Sequence, residues 1–214
     1  MNLRPLVALC GLLVSRPLAS QVADEGTLSI QAGSREIGLE SFRLTTGEAG
    51  LRITSKVSFP GIRPPIELAA SLERTTESGD LAFQLEHRGG RGGSQAYAVQ
   101  KRNRLTIRRV ERGAEAASET PGGSGLVLLA DSVFALYLQL LPLSQEGART
   151  VTAVLPQTGR RLTFSVRRMP SGNAGGTLIR LSGGLEGEIV LGNRGELLRI
   201  SLPSLGLEAT RKRD

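Results

Sequence analysis

Three pairs of glutamates, one histidine and a run of arginines are the side chains of this 214-residue sequence whose spacing could support chemistry. Glu36 and Glu40, Glu67 and Glu73, and Glu186 and Glu188 are candidates to face one another across strands, and two facing carboxylates are the minimum apparatus of glycoside hydrolysis. Sugar sites also need aromatic platforms, and the chain has no Trp and only 3% aromatic residues. A hydrolytic triad would have to use His87, but no Gly-x-Ser-x-Gly elbow accompanies it, and Ser94 has no orienting acid at a recognisable distance. His87 continues the register of Leu81, Phe83 and Leu85, which predicts a hydrogen-bonded or rim position at a strand end. Cys10 is the one cysteine, so no internal disulfide and no thiolate zinc cluster can form, and one histidine closes off multi-histidine metal sites. The glycine-rich stretches 89–93 and 183–187 lack a following Lys-Ser/Thr and do not read as phosphate cradles. The expectation is a protein without a catalytic residue, a metal or a cofactor, that is, not an enzyme.

The 27 basic residues outnumber the 20 acidic ones by +7, and only Lys56, Lys101 and Lys212 are lysines. The densest cluster is Lys101, Arg102, Arg104, Arg108, Arg109 and Arg112. Arginine recognises phosphate and stacks on bases, yet no aromatic residue interleaves with this cluster, which argues against nucleic acid. Lys101, Arg104, Arg108 and Arg109 are therefore candidates for docking an acidic partner or an anionic surface, against the plainer reading of a solvated strand face.

Residues 1–20 carry Arg4, an apolar stretch from Leu6 to Val14, and a small-residue end at Ala19-Ser20. This is the layout of a cleaved secretory signal, and its apolar part is too short for a spanning helix. Arg16 interrupts it and leaves an uncleaved anchor as the competing reading. Removal takes Cys10, Arg4 and Arg16 away and leaves a charge of +5. The expected location is the periplasm or the exterior of a bacterium, with residues 21–214 forming one domain.

From Thr27 onward, short runs of period two broken by Gly, Pro, Ser and Asn predict eleven or twelve antiparallel strands. Ile37 and Leu39 are out of phase with Phe42 and Leu44, which predicts a bulge near Glu40-Ser41. The run Lys101–Arg112 reads as an edge strand, and 113–125 as a mobile loop. Asp131 reads as the cap of a helix over 132–141, apolar nearly all round and ended by Pro142. An antiparallel sheet of this size must curl, so the fold class expected is all-β, a barrel or half-barrel with the helix as plug or lid. Phe42, Leu44, Ile53, Val57, Leu68, Phe83, Leu85, Phe134 and Leu138 would line any apolar cavity under it, or else simply pack the core. The partner expected is an amphiphilic small molecule or an envelope component, and the chain is expected to be a monomer.

Residues 33–40 (GSREIGLE), 128–134 (LLADSVF), 154–157 (VLPQ) and 195–203 (GELLRISLP) together resemble uncharacterised bacterial exported proteins grouped as domains of unknown function. The resemblance implies a curved antiparallel sheet and carries no catalytic residue. The sequence departs from that pattern at Leu191, where a tryptophan is usual, and at Ala135-Leu136-Tyr137. In shape the expected fold is also similar to periplasmic lipoprotein carriers, open sheets with a helical lid, which is an analogy of fold and not of function.

Overall fold

The computed structural model describes residues 21–90, 92–144, 147–171 and 176–213; the expected signal segment lies outside them. The strands of the first half are β1 (Gln21–Ala32), β2 (Arg35–Gly47), β3 (Gly50–Phe59), β4 (Ile66–Thr75), β5 (Leu81–Gly89), β6 (Ser94–Lys101), β7 (Arg104–Glu111) and β8 (Ala114–Pro121). After the short β9 (Leu126–Leu128) and a 3₁₀ helix, Phe134–Leu143, the second half holds β10 (Arg149–Leu155), β11 (Arg160–Pro170), β12 (Thr177–Gly183), β13 (Gly187–Leu191), β14 (Leu197–Leu202) and β15 (Leu207–Arg211). The strands make one sheet in the order β8-β7-β6-β5-β4-β3-β2-β1-β15-β14-β13-β12-β11-β10-β9, antiparallel except for the β9–β10 pair. Two meanders are thus joined at the centre, where the first and last strands pair, Ile30 opposite Ala209.

The all-β class and curled sheet follow the period-two pattern. In β3, Ile53, Ser55, Val57 and Phe59 are buried while Arg52 and Lys56 face out. The sheet stays unclosed, with β8 and β9 as its two free edges, and the chain crosses between them over residues 122–125. Arg161 on β11 stitches this seam by donating to the Thr120 hydroxyl and, at 3.1 Å, to the Pro121 carbonyl. The free side of β9 is answered by side chains: Gln139 bonds both the Leu128 N–H and its carbonyl, and Arg74 bonds the Leu126 carbonyl. Side chains here do what a sixteenth strand would do, and they leave no open backbone ladder at that position.

Four expectations need correction. Residues 113–125 are largely strand, because β8 pairs with β7 throughout, Ile107 opposite Ser118, so β7 is not an edge. The phase slip on β2 falls at Ile37, where β1 runs from Gly38 to Glu36 as partners of Ile30 and Gln31, and not at Glu40-Ser41. The helix is 3₁₀ rather than α, begins at Phe134 without a cap from Asp131, and carries Pro142 inside it. The described residues hold fifteen strands rather than eleven or twelve, and β1 starts at Gln21 rather than Thr27.

A second slip, at Ala23, turns Asp24 inward beside β14. Its carboxylate accepts the Leu197 N–H at 2.8 Å and the Arg211 guanidinium at 3.0 Å, and Arg211 also donates to the Leu197 carbonyl and lies 5.7 Å from the Phe42 ring centre. This cluster ties the first and last strands, β1 and β15, to β14. Removing the buried anion strands Arg211 and an amide, so Asp24→Ala is expected to cost about 3 kcal/mol in urea unfolding, against well under 1 kcal/mol for breaking the exposed Arg43–Glu25 pair.

Candidate functional site

The 3₁₀ helix fills the inside of the curled sheet. Phe134, Ala135, Leu136, Tyr137, Leu138, Gln139, Leu140 and Leu143 are all buried, and they face Leu28, Phe42, Ile53, Leu72, Phe83, Leu105, Val151, Phe164 and Ile179 from both meanders in one continuous core. A helix apolar on every side is stable only when enclosed, and the sheet encloses it. It is a plug.

The plug is held by a fully buried carboxylate. Glu40 on β2 sits in the inward register of Phe42 and Leu44, and its Oε1 accepts the Ser55 hydroxyl at 2.6 Å and the Ala135 N–H at 2.9 Å. Its Oε2 accepts the Phe134 N–H at 2.8 Å. Two of the unsatisfied amides at the start of the helix are thereby answered from β2, 94 and 95 residues away in sequence. Near the other end, Ser144 closes the helix with its hydroxyl and N–H on the Leu141 and Leu140 carbonyls, and Arg168 reaches the Leu141 carbonyl at 2.9 Å. Between them Gln139 clasps β9.

Burial raises the Glu40 carboxyl from 4.5 to about 7, with the Ser55 hydroxyl and the Ala135 and Phe134 amides pulling it back down. The dominant force is desolvation; the hydrogen bonds moderate it. Tyr137 is likewise pushed up by burial, with Asp131 adding to the effect.

The nine expected lining residues lie in or against one packed core. Phe42, Leu44, Ile53, Val57, Phe83, Leu85, Phe134 and Leu138 are buried in it, and Leu68 is half-buried against it. A narrow apolar cleft opens beside the start of the plug, between residues 129–134 and Tyr137 on one wall and Leu155, Leu162, Leu185, Leu202, Leu205 and Leu207 on the other, with Asp131 and Arg160 among its polar lining. Its free volume is about 20 Å³, room for one water. Of the nine, Phe134 borders this cleft. On the outer face, a larger depression of about 740 Å³ crosses β1 to β5, its lining more apolar than polar, with Leu39, Val57 and Leu68 beside Lys56, Glu67 and Glu86.

The arginine cluster does not converge. Arg104 and Arg108 face outward and lie against Glu119 and Glu115 of β8, Arg109 is half-buried on the opposite face of β7 with Gly159 nearby, and Lys101 sits exposed at a hairpin end. Nor do the glutamate pairs meet. Glu36 is bonded by Ser29 and lies near Lys212 while Glu40 is inside; Glu73 pairs with Arg52, and Glu188 with Arg180. His87 is half-buried at the rim, opposite Leu68. Glu40, Gln139 and Asp24 were not singled out in these roles by the sequence. The signal for Glu40 was present: it is an even-numbered residue two before Phe42 and four before Leu44, and only a bulge set three residues too late hides its inward direction.

Fold and interior together define an open, barrel-like antiparallel sheet with an internal helical plug. No family model and no curated protein matches the chain. Among solved structures it is similar to a β-barrel-like protein of the domain of unknown function DUF1849 from Brucella abortus, with 8% identity, a TM-score of 0.52, and 90% of this chain covering 98% of that one. At that identity the likeness is one of fold, and it agrees with a β-rich, barrel-like sheet.

The buried carboxylate gives stability a defined pH dependence. The folded chain holds the Glu40 proton up to about pH 7 and the unfolded chain only to about 4.5. The contribution is complete below pH 4.5 and is lost as pH rises through 7, about 3 kcal/mol in all. Urea unfolding at pH 4.5 and pH 8 is expected to show this fall from Glu40 in the wild type and its disappearance in Glu40→Gln, read as a double difference so that other titrating groups cancel. Glu40→Leu, which orphans three donors, is expected to cost about 3 kcal/mol or more at any pH.

Proposed function

We propose that this chain is an exported protein of the bacterial envelope that binds rather than transforms its ligand, and that the ligand is an amphiphile whose apolar part lies against the plug. The single observation that carries the reading is the cleft at the start of the plug: leucines from β10, β11, β14 and β15 converge on it, Leu205 at its border is 44% exposed, and Asp131 and Arg160 offer a polar partner for a headgroup. Free volume for one water means that an acyl chain enters only when the first turn of the plug and the 3₁₀ turn Pro203–Leu205 move apart. The Glu40 latch is the contact such a movement works against. Export is supported by the basic, apolar and small-residue order of residues 1–20. A binding role is supported by Glu73 and Glu188, candidates for paired carboxylates, each of which lies against an arginine instead. The docking of an acidic partner on β7 has less support, since Arg104 and Arg108 already have Glu119 and Glu115.

Native mass spectrometry of the protein from its source, together with titration by a fluorescent fatty acid, tests the reading. A retained lipid or saturable uptake near one per chain is expected, weakened several-fold by Leu205→Asp. A lipid-free protein without uptake overturns it. For export, the chain recovered from the periplasm is expected to begin near residue 21; an intact chain confined to the cytoplasm overturns that part.

A further inference from the structure

Many of the described arginines have an anion. Nine of them, from Arg43 to Arg211, lie within 4.0 Å of a carboxylate. Arg74 and Arg149, at the end of the sheet opposite the cleft, have no acidic partner among the described residues. Both occupy inward positions by strand alternation, on β4 and at the start of β10, and both are half-buried. Arg74 spends one nitrogen on the Leu126 carbonyl at 2.7 Å, while its Nε–H is buried with no acceptor. Arg149 is near enough to repel it, which together with burial lowers the affinity of Arg74 for its proton, burial being the larger cause.

A third unmet group shares the same transverse row. Arg74 is opposite Leu81 and Leu81 is opposite Gln100, which places Arg74 and Gln100 two strand spacings apart, about 9.6 Å, on the inner face. Gln100 is buried and donates to the Gly123 carbonyl at 3.2 Å, and its Oε1 accepts from nothing. Both side chains reach the crossing segment 122–126. Two neighbouring guanidinium groups without an acid among the described residues, one of them two strands from a buried acceptor without a donor, make a costly arrangement, and a ligand that accepts from the first two and donates to the third would complete it.

We propose that Arg74, Arg149 and Gln100 form a site for a singly protonated phosphate, either free hydrogen phosphate or the headgroup of a phosphomonoester. Guanidinium groups recognise such oxyanions through paired N–H donors, and the phosphate hydroxyl supplies the hydrogen that Gln100 Oε1 lacks. Sulfate matches the charge and shape but carries no proton near neutrality, so it binds more weakly. The site is independent of the amphiphile cleft, being built by β4, β6 and β10 at the other end of the plug.

The test is a titration of the full chain with sodium phosphate at constant ionic strength, followed by thermal unfolding and by NMR of the arginine Nε–H signals. Phosphate is expected to raise the melting temperature saturably, to shift the Arg74 Nε–H signal, and to outcompete sulfate. Arg149→Gln is expected to weaken binding about tenfold or more, Arg149→Glu to abolish it, and Arg104→Gln to leave it unchanged. Arg149 lies at a strand end, so these variants stay informative if Arg74→Gln fails to fold. The source is separated by vesicles: Arg149-dependent binding to phosphatidic acid over phosphatidylcholine assigns a lipid headgroup, and binding of phosphate alone assigns the free ion. No saturable response, an equal response in Arg149→Gln, or an equal response to chloride overturns the proposal.

Discussion

A single buried carboxylate decides whether this sheet has an inside. Fifteen strands curl but do not close, and the helix that fills them is apolar all round, so nothing in its own periodicity orients it. Glu40 supplies the orientation. By accepting the Phe134 and Ala135 amides it fixes where the plug begins relative to β2, and the Ser55 hydroxyl fixes the carboxylate against β3. The cost is a charge in a dry interior, and the molecule meets it with three donors and a proton affinity raised to near neutrality. Polar groups of this kind trade stability for uniqueness: apolar contacts alone would let a smooth helix rotate or slide, whereas three directional bonds to one carboxylate leave one placement.

The remaining polar groups inside act in the same way. Gln139 gives β9 the partner that a further strand would have provided, Arg161 ties the β8 edge to β11, and Asp24 with Arg211 fastens the first strand to the last where the meanders meet. The sheet has two free edges and a central join, and at each a side chain reaches from one part of the fold to the backbone of another. Outside, arginine and glutamate face one another in exposed pairs that each contribute little. Arg74 and Arg149 differ in lying half-buried on the inner face of the sheet.

Much of this was legible from the residues. Period two in runs such as Ile53–Phe59 and Leu81–Leu85 sets the strands, their faces and most of the core, since a strand buried on one side has little freedom of register. The curl follows from twist and number, and the plug from an apolar run that no longer alternates. What could not be read has physical causes. Residues 114–121 are small and polar because β8 is an outer edge exposed on both faces, so pattern alone sees a loop. A 3₁₀ helix with Pro142 inside has the composition of an α-helix that stops there. Glu40 was legible as a carboxylate in an inward register, but its partners are backbone amides 94 residues away, and no local spacing announces them. The site at Arg74 depends on what is missing around two cations, which only the packed sheet reveals.

The central claim is that Glu40 is buried, bears the raised proton affinity, and holds the start of the plug. Carbon-detected NMR of the Glu side-chain carboxyls across a pH titration reads this directly. The Glu40 carboxyl is predicted to titrate with a midpoint near 7, with the Phe134 and Ala135 amide signals moving at the same midpoint. A Glu40 midpoint near 4.5, or amides that do not follow it, would contradict the account.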